Sequence, residues 1–348
     1  MFDAVFITNL PAFYKTNLYQ AIAERKKIFV IFIGRGSQIR TDDFSGQTIE
    51  FPHCFLNDRS YEARVGIKSM LRLIQVLNGL EFKKIILGGW DLPEYWMTWL
   101  FQPKRKLLLA LESGIGESKT TGLVAWIKKA FLSRIDGVLA SGDPHQALLK
   151  TLGYQGMVWL TGGVGLMNQM PILPRSIGFQ NRYLYLGRLS AEKNLDCLIN
   201  AFNTQREASL TLVGNGPELD RLRAIAGPMI IFQSHVPNHE LNVVFQQHDA
   251  LILPSLREPW GLVVEEALYH GLPVLLSDKV GCREWVTTYR CGYLFDPYSA
   301  NDLLKKMRDL KCNYAELKQN AEDLDFKIFR EHQITQYEEL LSASEPNA

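Results

Sequence analysis

The chain has 348 residues, 47% of them apolar and 22% charged, and a net charge of +1. This is the composition of a soluble globular protein with length for two domains of about 150 residues, which excludes a disordered or fibrous chain; no nucleic-acid partner is expected. The five cysteines (Cys54, Cys197, Cys282, Cys291, Cys312) are odd in number and form no C-x-x-C pair, so neither a disulfide framework nor a zinc site is indicated.

In chain order, residues 1–13 (MFDAVFITNLPAF) carry Asp3 and no basic run, which reads as a first strand rather than a signal peptide. Apolar runs at 4–9, 28–34, 83–89, 106–113, 137–142 and 157–163 predict strands, many of them with glycine at their ends. Amphipathic stretches between them, among them LYQAIAERK, EARVGIKSMLRLIQVLNGL and PHQALLKTLG, predict helices. Pro171–Pro174 (PILP) is the candidate linker. A second alternation follows: strands at 183–189, 209–216, 229–236, 250–255 and 273–278, each with a helix after it. Strand–helix alternation of this kind predicts two doubly wound parallel sheets, an α/β class. Residues 326–345 have helical periodicity. No apolar run reaches the roughly 18 residues of a membrane span, so the expected location is cytoplasmic, at most peripheral at the inner face of a membrane.

The charge is uneven. Residues 1–165 hold 20 Lys and Arg against 14 Asp and Glu, and the remainder 18 against 23. A basic first half suits an anionic partner such as a phospholipid surface or a lipid-linked pyrophosphate, although an uneven surface without a partner gives the same balance. Arg64, Lys68 and Arg72 recur at four-residue steps among apolar residues, and residues 122–136 offer Trp126, Lys128, Lys129, Phe131 and Arg134. Such helices can lie in a membrane interface; a helix that covers a sheet shows the same pattern.

The densest chemistry is in SLREPWGLVVEEALYHG, Ser255 to Gly271. Pro259 disfavours helix at Glu258, which places that carboxylate in a loop after a strand. Gly261 opens a helix that Gly271 and Pro273 close, with Glu266 about a turn and a half inside it. The free N–H groups near Gly261 and Leu262 form a site for a phosphate. Upstream, YLGRLSAEKNLDCLINAF puts Arg188 and Lys193 around a turn after a strand, and LTLVGNGPELDRL puts Gly214 and Gly216 in another. Gly214-x-Gly216 is not a dinucleotide fingerprint, because Leu219 stands at the third glycine; Gly34-x-Gly36 fails likewise at Ile39.

With Glu258-x7-Glu266 followed by A-L-x-x-G-x-P-V, these motifs resemble the donor site of retaining GT-B glycosyltransferases of family 4, the glycosyl transferases group 1. The resemblance is strong over 180–300 and weaker over 1–165. It implies the GT-B fold, two Rossmann-like domains facing across a cleft. Residues 1–168 would form the acceptor domain, with helix 327–348 returning to it, and 169–326 the donor domain. It implies a nucleoside-diphosphate sugar donor, with UDP favoured, and a saccharide or lipid-linked saccharide acceptor, in surface polysaccharide or lipopolysaccharide assembly. Arg188 and Lys193 would bind the diphosphate, Glu266 the ribose hydroxyls, Glu258 the sugar, and Gly214, Gly216 and Val236 would lie beside the nucleotide. His235 stands where the family often has glycine. An isomerase or phosphorylase on the same fold, or a non-catalytic nucleotide-sugar-binding subunit, remain alternatives.

The first half departs from the family pattern. Glu112, in LLLALESGIGE, stands where many members have a histidine near the sugar. The loop TNLPAFYKTNL lacks the usual paired glycines and offers Tyr14 and Lys15 instead, and Gly88-Gly89-Trp90-Asp91 is a candidate acceptor wall with an exposed tryptophan. No metal and no cofactor are expected. The one D-x-D string, Asp323–Asp325, lies in a polar helical stretch without strand flanks, and the histidines lack the i, i+4 spacing of a zinc helix.

Overall fold

The computed structural model describes residues 1–38, 44–46, 48–174 and 178–343. Ile39, which decides the first glycine near-miss, and positions 344–348 of the closing segment lie outside the described residues. The chain divides into two units, Met1–Met167 with Lys327–Ala348, and Asn168–Phe326.

The first unit runs β1 (Phe2–Thr8), α1 (Phe13–Ala23), β2 (Ile28–Phe32), β3 (His53–Phe55), α2 (Gly66–Asn78), β4 (Phe82–Leu87), α3 (Pro93–Phe101), β5 (Leu107–Leu111), α4 (Gly122–Leu132), β6 (Gly137–Ala140), α5 (Asp143–Thr151) and β7 (Met157–Leu160). Every paired strand is parallel, in the order β3-β2-β1-β4-β5-β6-β7. The chain reverses direction across the sheet between β1 and β4, which opens a crevice at their C-terminal ends. Because side chains alternate along a strand, β1 feeds two cores. Val5 and Ile7 pack with Leu73 of α2, Tyr95 of α3, Phe131 of α4 and Leu148 of α5. Ala4 and Phe6 pack with Leu18 and Ile22 of α1 and with Ile334, Tyr337 and Leu340 of the closing helix, Phe326–Ser342.

The second unit runs β8 (Arg182–Leu186), α6 (Leu195–Asn203), β9 (Ser209–Val213), α7 (Leu219–Ile225), β10 (Ile230–Gln233), α8 (Leu241–Gln246), β11 (Ala250–Leu253), α9 (Leu262–Tyr269), β12 (Val274–Ser277), α10 (Glu284–Tyr289), β13 (Gly292–Phe295), α11 (Ala300–Cys312) and α12 (Tyr314–Glu322). Its sheet is also parallel, in the order β10-β9-β8-β11-β12-β13. β11 and β12 are buried along their whole lengths, as a sheet covered on both faces requires. The switch point here lies between β8 and β11.

Several expectations are corrected. β3 and β13 are strands that the apolar runs did not announce; each is short and only partly apolar. Tyr14 and Lys15 belong to the first turn of α1 rather than to a loop, because Pro11 and Ala12 already set the extended approach that a helix start needs. Arg64 precedes α2 and is drawn inward by Glu94, whose buried carboxylate it meets at 2.7 Å. Asp323–Asp325 occupies the turn between α12 and the closing helix, not a helix.

Candidate active site

In the second unit the motif residues meet at the C-terminal ends of β8 and β11. The turn after β8 is fixed from below, where buried Tyr185 donates its hydroxyl to Arg188 O at 2.8 Å. Arg188 itself points outward, exposed, and its guanidinium makes no ion pair among the described residues. Ala191–Lys193 forms a 3-10 turn ending at Asn194, which is left-handed (φ 55°). The Asn194 amide donates to Pro254 O at 3.2 Å and to Pro297 O at 2.7 Å, and Leu256 N–H donates to Glu192 O at 2.9 Å. These bonds tie the loop after β8 to the loop after β11.

The tie delivers Lys193 to Glu258. The ammonium bonds directly to Glu258 Oε2, and Ser255 Oγ donates to the same oxygen at 3.2 Å. Both side chains are mostly buried, 17% exposed for Lys193 and 14% for Glu258. Glu258 is in the loop, as Pro259 requires, and its backbone is held by Gly281 N–H at 2.9 Å. Gly281 admits no larger residue, since a Cβ there would lie 1.8 Å from Pro259 O. Gly261 is left-handed (φ 99°) and caps α9, whose first-turn N–H groups, near Gly261 and Leu262, have no intrahelical acceptor.

The adjacent carboxyls of α9 have separate fates. Glu265 is buried and accepts from the Trp260 indole N–H; burial pushes its carboxyl up to about 8 against that hydrogen bond, with Glu266 adding to the rise. Glu266 keeps partial exposure and its side chain accepts no hydrogen bond among the described residues. Dense surroundings push its carboxyl up to about 8 as well, through burial alone. A partly exposed carboxyl that no donor among the described residues reaches is suited to bond hydroxyl groups of a ligand.

Gly214 and Gly216 have a demand of their own. A Cβ on Gly214 (φ 139°) would lie 2.0 Å from Gly187 O, and one on Gly216 would lie 2.1 Å from Leu189 O. The loops after β8 and β9 thus touch backbone to backbone, with Leu189 N–H donating to Asn215 O at 2.9 Å. Val236 is buried just after β10, on the same edge of the sheet.

In the first unit, Lys15 is buried beneath the end of β1. Its ammonium donates to Thr8 Oγ1 at 3.2 Å and pairs at 2.8 Å with Glu112, which follows β5 and is one-third exposed. Burial penalises the Lys15 charge, but Glu112 and the surrounding tyrosines outweigh it and hold the pKa well above the usual lysine range. Lys15 and Glu112 are therefore brought together at this sheet's own switch point. Trp90 is not the exposed ring expected: it is half-buried, packed edge-on against Phe131 with Lys128 Nζ 5.2 Å from its ring, while Asp91 is exposed. The Trp90 ring packs against the apolar core that α2, α3 and α4 share.

Sequence reasoning passed over Ser255, Asn194, the Trp260–Glu265 pair and Gly281. Their signal is weak in one dimension, because each acts on a partner supplied by another loop or by the far side of a turn. Among the described residues no cluster of three or more His, Cys, Asp or Glu is placed to hold a metal ion, and no helix is long and apolar enough to cross a membrane.

Residues 175–323 match the family model of glycosyl transferases group 1. Over 131 residues the chain is 30% identical to sulfoquinovosyl transferase of Arabidopsis thaliana, covering 36% of this chain and 26% of that one. It is 33% identical over 110 residues to a GDP-mannose-dependent alpha-mannosyltransferase of Mycobacterium tuberculosis, covering 32% and 29%. These matches span between a quarter and a third of the relatives' own lengths. The fold is that of HepE of Anabaena, solved with UDP and glucose (TM-score 0.76, 16% identity, 99% of this chain and 100% of that one). It is also that of sucrose-phosphate synthase of Thermosynechococcus elongatus (TM-score 0.75, 18% identity, 98% and 99%), and of the lipopolysaccharide outer core galactosyltransferase WaaB (TM-score 0.71, 13% identity, 97% and 99%). Two parallel-sheet Rossmann-like domains of this kind make the fold GT-B.

Proposed function

Taking residues 175–323 as a domain of the glycosyl transferases group 1 family, we propose that the protein transfers a sugar from a nucleoside-diphosphate donor, held by the second unit, to a saccharide or lipid-linked saccharide. The observation that carries this reading is the meeting of Lys193 with Glu258 at the β8/β11 switch point, with the exposed Arg188 in the same loop as Lys193. Charge on the diphosphate grows as the bond to the sugar breaks. Arg188 and Lys193 stabilise that growing charge more than the bound donor, which lowers the barrier. The first-turn N–H groups at Gly261 and Leu262 face the same phosphates. Glu266 accepts the ribose hydroxyls, and Glu258 serves the sugar, whose ring becomes cationic. Gly214, Gly216 and Val236 form the edge beside the nucleotide.

Transfer occurs with retention. The bond from the anomeric carbon to the diphosphate oxygen breaks, the bond to the acceptor oxygen forms on the same face, and the departing phosphate oxygen takes the acceptor's proton. In the first unit the Lys15–Glu112 pair keeps a carboxylate at the end of β5, where it orients an acceptor or sugar hydroxyl, and Asp91, exposed in the turn after β4, is a second acceptor-side candidate. UDP is the favoured nucleotide, since HepE of like fold was solved with UDP, and WaaB of like fold acts on the lipopolysaccharide outer core; surface polysaccharide assembly is the setting proposed. A panel of UDP-, GDP- and ADP-sugars scored by thermal shift identifies the donor, because a ligand of the folded state raises the melting temperature. NMR of the product then reads its anomeric configuration. Silence across the whole panel, or an inverted product, overturns the reading.

A further inference from the structure

The loop that carries Glu258 is held on several sides, mostly through backbone. At its start, Leu256 N–H donates to Glu192 O at 2.9 Å. In its middle, Glu258 O accepts from Gly281 N–H at 2.9 Å, and Trp260 O accepts from Cys282 N–H at 3.0 Å. One support is made of side chains: the Trp260 indole N–H donates to Glu265 Oε1 across the entry to α9. Trp260 is 2% and Glu265 4% exposed, although Pro259 beside the tryptophan is exposed. The proposed transfer uses neither residue. Burying a carboxyl costs free energy that a leucine in the same space would not incur, so the pair calls for a reason other than packing.

The pair joins the loop of Glu258 to the helix of Glu266. Trp260 stands between Glu258 and Gly261 in the chain, and Glu265 stands next to Glu266. Gly261 is the joint between the two halves. It is left-handed (φ 99°) and turns the chain into α9, where Val264 N–H donates to its carbonyl at 2.8 Å. The stem of Glu258 rests on this joint, since a Cβ built on Gly261 would lie 3.4 Å from Glu258 Cγ. Glycine is the most permissive backbone position, so the direction of the Glu258 side chain depends on what fixes the residues around Gly261. The buried indole is the neighbour on one side, and Glu265 anchors it to the helix. Burial pushes the Glu265 carboxyl up to about 8, so at neutral pH the anchor is mostly a neutral acid and sets little negative charge beside a diphosphate.

We propose that Glu265 is a positioning residue: by holding the Trp260 indole it braces the loop against α9, so that the Glu258 carboxylate keeps its place on Gly261, in reach of Lys193 and Ser255. The inference rests on the assignment of Glu258 to the transferred sugar. The test compares Glu265→Gln, Glu265→Met, Trp260→Phe and the double variant Glu265→Met/Trp260→Phe in the full chain. Each is read by hydrogen exchange of the segment 255–262, by melting temperature and by steady-state release of nucleoside diphosphate. Glutamine keeps a neutral acceptor of the same shape, so exchange and kcat stay within about twofold of wild type. Methionine fills the space without accepting, and phenylalanine keeps a ring without donating. Each of these speeds exchange in the segment about tenfold. Each also lowers kcat about 10- to 100-fold through misplacement of Glu258, with KM for the nucleotide sugar changed by less than about threefold. The double variant strands no buried polar group, so its melting temperature returns toward wild type while its kcat stays low. The proposal is overturned if Glu265→Gln loses as much as Glu265→Met, if the double variant regains kcat along with stability, if neither single variant loosens the segment, or if a loosened segment leaves kcat unchanged. Exchange needs no substrate. A wild type that turns over no nucleotide sugar, with the same loosening in both variants, therefore refutes the transfer reading and leaves the brace standing.

Discussion

The contact between Lys193 and Glu258 separates a structural ion pair from a catalytic one. In Lys193→Ala, Glu258 keeps one hydrogen bond, from Ser255 Oγ at 3.2 Å, in a place where only 14% of its side chain reaches solvent. Leaving a carboxylate there short of a partner should cost about 1–3 kcal/mol of stability. Losing a cation at the departing diphosphate should cost about 3 kcal/mol of activation energy, or roughly 100-fold in turnover. These losses have different remedies. Adding Glu258→Gln removes the uncompensated charge, so the double variant Lys193→Ala/Glu258→Gln should regain most of the lost stability. Its turnover should stay at or below that of Lys193→Ala, because no cation has returned to the diphosphate. Stability is read by denaturant unfolding and turnover by release of nucleoside diphosphate, in wild type, both single variants and the double. If turnover recovers together with stability, Lys193 serves only to hold Glu258, and the donor-site reasoning fails.

Arg188→Ala should melt within about 0.5 kcal/mol of wild type, as an exposed residue without an ion pair does, yet lose about 100-fold in turnover; near-normal turnover would remove it from the diphosphate site. Glu266→Ala should weaken binding of the bare nucleoside diphosphate by about 1.5–3 kcal/mol, whereas Glu258→Ala should spare that affinity and lower turnover, and calorimetry giving equal losses would contradict the division. Because the Glu265 carboxyl is pushed from 4.5 to about 8, the folded chain holds a proton there that the unfolded chain has released, so stability falls as pH rises between those values. Glu265→Gln keeps an acceptor for Trp260 and should flatten that fall, and an unchanged slope in urea titrations across the range would refute the assignment. With two cations at the diphosphate, turnover should survive EDTA; full loss that manganese restores would show that a divalent ion does that work.

Much of this molecule is written in one dimension. Runs such as AVFIT, LTLV and ALIL are short, apolar and bounded by glycine, asparagine or proline, so they declare buried parallel strands wherever they fall. Pro259 and Gly261 place Glu258 in a loop and Glu266 in a helix by backbone sterics alone, which needs no tertiary partner. His53–Phe55 and Gly292–Phe295 stayed hidden because strands so short take their identity from the neighbour they pair with. The order of strands is likewise silent in sequence, and it alone brings Lys193 across 65 positions to Glu258, and Lys15 to Glu112. Helical phase decided that Glu265 is sealed under Trp260 while Glu266 keeps partial exposure, although the two are adjacent and chemically alike. In the same way an apolar, basic stretch does not say whether it covers a sheet or faces outward. Trp90 went in, packed edge-on against Phe131, and Trp126 went out, because the phase of α4 that sets Ala125, Phe131 and Leu132 inward leaves it on the outer side, and only the packing of the whole unit fixes that phase.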